Sequence, residues 1–175
     1  MTKQLIIREL SERHVIFVNY VLSLSYKEFM FSFQNKWTAG QQMDHLCRAT
    51  AILPLAFTIP RFITSLIFGQ AKRAPVEYDE LVTKYLLRLE KGAKANAVFI
   101  PKKIPYGYRI DLADKLLKKV SKINAAIDLI SEKDLDLAVL PHPILGKITY
   151  REMLYFTMYH VNHHCALTKK YVAEI

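Results

Sequence analysis

Apolar residues return every three or four positions along four long stretches of the chain, the spacing that turns one face of an α-helix toward a core. In the first, about Leu5 to Phe33, the positions Leu10, His14, Phe17, Val21 and Leu24 share a face flanked by Arg8, Glu12, Arg13 and Lys27. The second opens on Thr38-Ala39-Gly40-Gln41 and runs from Ala39 to about Phe57. Its opening is a capping box: the threonine hydroxyl accepts from a backbone N–H while the glutamine side chain reaches back. The third, Tyr108 to Ser131, carries Leu112, Leu116, Val120, Ile123, Ile127 and Ile130 as its stripe. A second box, Thr149-Tyr150-Arg151-Glu152, opens the fourth, which continues to Tyr171. Between the second and third, Pro60, Gly69, Pro75, Gly92, Pro101 and Gly107 break the pattern into short pieces, with room for a helix from Val76 to Lys91. Two prolines bracket the histidine in Leu140-Pro141-His142-Pro143, which predicts an irregular loop.

These elements predict an all-α fold in which residues 1–175 form a single domain, a four-helix bundle. Short connections make the first two helices antiparallel neighbours, and likewise the last two. The middle connection is long enough to cross over and let the second and third run parallel.

Histidines interrupt the apolar faces. On the fourth helix His160 and His164 stand one turn apart, on the stripe that also holds Met153, Phe156, Thr157, Leu167 and Tyr171. His163 falls on the shoulder of that stripe, about 80° off its axis. On the second helix His45 shares a face with Ala49, Ile52 and Ala56, small residues that let a neighbouring helix approach. A buried imidazole has two ring nitrogens to satisfy, and a pair one turn apart makes that demand twice. Two readings meet it: hydrogen-bonded core histidines, or a metal ion about 2 Å from each ring. His45 is then the natural third ligand. His14 reads as a structural core histidine, and His142 as a loop residue with a substrate-facing role as the alternative. Asp44, Gln41, Glu28 and Asn162 are the candidates to accept the ligands' other ring N–H groups.

Composition narrows the partners less than the pattern narrows the fold. Lys and Arg number 25 against 16 Asp and Glu, a formal charge of +9. Yet the excess is scattered through isolated pairs such as Lys102-Lys103 and Lys118-Lys119, which suit solvated surfaces. No helix-turn-helix, zinc-finger or aromatic stacking signature accompanies the charge, so no nucleic-acid partner is expected. The N-terminal residues meet charge before a signal-like apolar run develops, and Pro54, Pro60 and Arg61 break the most apolar later stretch. No membrane partner and a cytoplasmic location are expected. Two cysteines, Cys47 and Cys165, make no disulfide framework, and Cys165 is expected to pack in the core. There is no H-E-x-x-H, so metalloprotease chemistry lacks its carboxylate.

The segment Trp37-Thr-Ala-Gly-Gln-Gln-Met-Asp-His45-Leu resembles the region of the first ligand in the DinB-like (YfiT-like) metalloenzyme family. His142-Pro-Ile-Leu-Gly146-Lys-Ile-Thr-Tyr-Arg-Glu-Met-Leu, leading to Tyr159-His160-Val-Asn-His163-His164, is similar to that family's C-terminal signature. The likeness covers the second and fourth helices and fades between Thr58 and Gly107. It implies an up-down-down-up four-helix bundle and a divalent metal, zinc or nickel, held by His45, His160 and His164. Through the family it also implies a small-molecule substrate, with a low-molecular-weight thiol as co-substrate in some relatives, and a homodimer. The expected activity is a metal-dependent transferase or hydrolase; Lys102, Lys103, Tyr106, Tyr108 and Arg109 read as a solvated loop, with the lining of a basic mouth as the alternative. The alternative is a non-catalytic metal-binding stress-response or interaction module.

Overall fold

A computed structural model describes residues 1–94 and 96–175. The first expected helix is divided. Helix α1 (Lys3–Ser23) stops where Leu24 turns extended, and Ser25 caps a new helix, α2 (Tyr26–Met30), through a box with Glu28. The division follows from residues 25 and 28: serine and glutamate three apart satisfy helix-start N–H groups, which makes a fresh start cheap. A 3-10 turn, Phe33–Asn35, follows with Gln34 and Asn35 at positive φ.

Helix α3 (Ala39–Ala49) starts on the expected Thr38–Gln41 box but ends well before Phe57. Pro54 explains the early stop, since its ring would clash with the carbonyl four residues back and it offers no N–H. That proline instead sits in the first turn of α4 (Leu53–Thr58), and α5 (Arg61–Phe68) begins after Pro60. Helix α6 (Tyr78–Glu90) fills the Val76–Lys91 window. Helix α7 (Arg109–Asp128) matches the third stripe, and a short α8 (Glu132–Leu137), capped by Ser131, follows it.

The Leu140–Pro143 region is not irregular throughout. Strands β1 (Val139–His142) and β2 (Gly146–Thr149) form an antiparallel hairpin, with Leu140 opposite Ile148 and His142 opposite Gly146. Pro141 is tolerated because the sheet has two strands, so each has a free edge that needs no N–H. Gly146 turns at φ 76, a conformation that side-chain-bearing residues rarely adopt. The hairpin delivers the chain to Thr149, whose capping box with Glu152 opens α9 (Tyr150–Val172).

The chain is mostly helical. Helix α1 packs on α7 and α9, and α3 packs on the same two, so the four long stripes close around one apolar cluster that includes Leu10, Phe17, Leu116, Ile123 and Leu154. Helix α6 lies against α9. Glu152 ties the middle connection to the start of α9. Fully buried, its carboxylate accepts from Arg73 Nη1 at 2.6 Å and from the N–H groups of Val76 and Thr149, each at 2.8 Å. Burial alone would raise the pKa of this carboxyl; the hydrogen bonds from Arg73, Val76 and Thr149 outweigh it and hold the group below its ordinary value. Among the described residues, no single helix is long and apolar enough to cross a membrane.

Gly40, in the first turn of α3, is where α2 and the middle connection close on that helix. A Cβ there would lie 2.6 Å from the Phe29 ring and 2.9 Å from Ile104 Cβ. Phe29 is fully buried, and Ile104 Cβ moves only with its backbone. Overpacking of this kind costs about 1–3 kcal/mol, against a helix-propensity gain of at most about 1 kcal/mol for Gly to Ala. Gly40→Ala should therefore lower the melting temperature by roughly 2–4 °C per net kcal/mol lost, as read by thermal unfolding. An unchanged or raised melting temperature would show that Phe29 has room to withdraw.

Candidate metal centre

Helices α3 and α9 are in contact, and that contact brings His45 from one and His160 and His164 from the other into a single buried group. The three Nε2 atoms converge: His45 to His160 is 3.1 Å and His164 to His160 is 3.0 Å. Two of the rings, those of His45 and His164, are oriented from behind. His45 Nδ1 lies 2.8 Å from the Phe99 carbonyl oxygen, which can only accept, so the hydrogen of this imidazole is on Nδ1. His164 Nδ1–H donates to the buried side-chain oxygen of Gln42. Trp37 closes the group on one side, its ring 4.9 Å from His45 and nearly parallel to His164.

Burial pushes the pKa values of all three rings down, with the neighbouring histidines adding to it at His160 and His164. Neutral rings with Nδ1–H on His45 and His164 leave both of their Nε2 lone pairs facing His160 Nε2. One N–H on His160 has a single proton to offer two acceptors at close range. A divalent cation satisfies all three lone pairs at once. Nitrogens about 2.0–2.1 Å from a tetrahedral zinc stand about 3.3 Å apart, close to the spacing found. The three histidines could therefore hold a metal ion.

A cavity of about 380 Å³ opens onto the group. Its walls are mainly apolar, with the rings of Trp37, Tyr85, Phe99 and Phe156 among them, and burial raises the Tyr85 hydroxyl to about 12. Lys36 is the one charged side chain lining it among the described residues, and no carboxylate does. His163 lines the wall beside Tyr85 and Tyr159 without joining the three Nε2 atoms.

The residues behind the ligands differ from those expected. Gln42 and the Phe99 carbonyl take the roles for which Asp44, Gln41, Glu28 and Asn162 were candidates. Asp44 accepts from Arg48 and the Lys102 N–H; Gln41 and Glu28 complete capping boxes; Asn162 is exposed. Gln42 had a readable signal, since it precedes His45 by three positions and so shares its face. Phe99 had none, because a backbone carbonyl contributes whatever side chain it carries. The basic mouth does not form at the cavity. Lys102 and Lys103 are exposed, Arg109 lies over the Tyr106 ring, and Lys115 bonds the Tyr108 hydroxyl. His14 is a core residue bonded to the Leu10 carbonyl, as expected. Cys165 is buried, which raises its thiol pKa, and Cys47 accepts from Lys119 outside the histidine group.

No protein-family model matches this chain, and no curated protein matches its sequence.

Proposed function

We propose that His45, His160 and His164 are the ligands of a divalent metal ion, zinc or nickel, and that the protein is a metal-dependent enzyme acting on a small molecule in the adjoining cavity. The observation that carries the reading is the convergence of two neutral Nε2 lone pairs on a third Nε2 atom at 3.0 and 3.1 Å. Three imidazole ligands leave a coordination position for water or substrate, the arrangement of catalytic rather than structural sites. Bound there, the ion supplies a Lewis-acid position that lowers the pKa of a water or thiol. The chain's own part is to fix the donor set through Phe99 and Gln42, and to shield it with Trp37 and Phe156. Resemblance of the Trp37–His45 and His142–His164 segments to the DinB-like family supports the same reading and an up-down-down-up bundle, with thiol-dependent transfer or hydrolysis as the reaction classes. The absence of any carboxylate from the cavity wall, among the described residues, favours one other reading, a metal-binding module without turnover.

Trp37, the one tryptophan in the chain, provides the test. Nickel added to metal-free protein should quench its fluorescence and saturate at roughly one equivalent, the stoichiometry of a single three-histidine site. A Trp37 signal indifferent to nickel and zinc would sink the proposal. Turnover of thiol, ester or amide substrates by the loaded protein then separates the enzyme from the silent module.

A further inference from the structure

His142 stands on the cavity wall apart from the three converging histidines. Its ring meets Phe156 edge-on at 4.2 Å, and the Phe156 ring stacks on His160, so one aromatic ring separates it from the metal centre. Two backbone donors hold it. The N–H groups of Ile144 and Leu145 both point to Nδ1, at 3.2 and 3.1 Å. A backbone N–H can only donate, so Nδ1 must offer its lone pair and the ring hydrogen is on Nε2. Protonating Nδ1 would break both bonds, and burial works in the same direction by lowering the pKa to about 4. At neutral pH the ring is therefore neutral with its tautomer set. Nε2 has no hydrogen-bond partner among the described residues, yet it is not one of the fully enclosed unpaired atoms. On a residue only 8% exposed that lines the cavity, that accessible N–H belongs to the cavity.

This donor is selective. An ammonium or another N–H would meet no lone pair there, and the neutral ring offers no charge to an anion. A carbonyl or amide oxygen fits. The surrounding rings accept an apolar or aromatic body, and Lys36 is the single charge among the described lining residues.

We propose that the cavity binds small neutral molecules with an apolar or aromatic body and a carbonyl-type oxygen, and that the Nε2–H of His142 is the hydrogen-bond donor that orients them. The inference rests on the cavity being the substrate site, and it stands whether or not the neighbouring histidines carry an ion.

Acetophenone and ethylbenzene make a matched pair of probes, alike in shape and differing in the oxygen. In the ¹⁵N-labelled full chain, long-range imidazole spectra should show His142 with its hydrogen on Nε2, and acetophenone at millimolar concentration should move that signal while ethylbenzene does not. His142→Asn keeps an acceptor for the Ile144 and Leu145 amides, but its NH2 stops short of the position that Nε2–H occupied. It should weaken acetophenone binding about two- to tenfold, the worth of one neutral hydrogen bond, and leave ethylbenzene unchanged; His142→Gln, whose amide extends further, should restore part of the loss. A hydrogen on Nδ1, an acetophenone response no different from that of ethylbenzene, no response at all, or equal acetophenone affinity in wild type and His142→Asn would each overturn the proposal. The wild-type spectra decide the matter if the variants fold poorly. Running every titration with metal-free and zinc-supplied protein separates this outcome from that of the metal site.

Discussion

His160→Ala should abolish metal binding. In the wild-type chain, purified without a histidine tag and equilibrated with zinc or nickel, roughly one ion per chain is expected from a three-histidine site. His160 is the residue to remove because its Nε2 is the one within about 3 Å of both other ligand nitrogens. Without it, His45 and His164 leave two donors where a closed or catalytic site needs three or four. Gln42→Leu should act more mildly. It leaves the ligands but strips the acceptor from His164 Nδ1, and losses of this kind cost about tenfold to a hundredfold in metal affinity. His163→Ala, next in sequence to a ligand but outside the converging group, should leave stoichiometry unchanged. Mass spectrometry of metal content reads all three. Equal metal in wild type and His160→Ala would place the ion elsewhere, and none in either would return the histidines to the core. Binding should also raise the melting temperature, since a ligand at a thousand times its Kd adds about 4 kcal/mol to folding.

Metal-free protein should lose several kcal/mol of stability between pH 6.5 and about 4, with His14, His142, His160 and His164 all contributing. Burial lowers His14 and His142 from 6.5 to about 4, although at His14 the Leu10 carbonyl pulls the other way. In this window the unfolded chain takes up protons that the folded chain refuses, so acid favours unfolding. The stabilisation is fully present above pH 6.5 and gone once pH falls through about 4. Each of these two rings accounts for up to about 3 kcal/mol, from 1.36 kcal/mol per unit of pKa difference. Burial of His160 and His164 adds in the same direction. Glu152 contributes further down, since its carboxyl is held below the ordinary carboxylate range and its hydrogen bonds fail only in stronger acid. Urea unfolding with a chelator at pH 7.5 and pH 4.5 measures the loss, and His14→Phe should remove the share of that one ring. A flat stability profile across this interval would mean that these rings take up protons without unfolding the chain.

Local signals in the chain were legible, and contacts between distant segments were not. Thr38 and Thr149 begin their helices where their capping boxes place them, because a capping box is complete within four residues. The three ligand candidates came together because each was already on a core-facing stripe. The Ser25–Glu28 box carried the same kind of signal, and the apolar stripe running through it masked the break between α1 and α2. The β1–β2 hairpin was hidden by Pro141 and Pro143, which read as breakers because their tolerance at a sheet edge depends on which strands are absent beside them. The roles of His142 and Phe99 depend on loop geometry closing around the cavity, which has no period to detect.

The Phe99 carbonyl has a consequence for how such a chain can change. It reaches His45 from the middle connection, across 54 positions of sequence, and holds a ligand with an atom that every amino acid possesses. Mutation at residue 99 can recolour the cavity wall while the hydrogen bond behind the imidazole persists, provided the backbone keeps its path. The segment from α4 to α7 is thus free to vary its part of the cavity wall without disturbing the three histidines. The lining of the cavity and the geometry of the three histidines, though neighbours in space, are carried by different atoms and can drift independently.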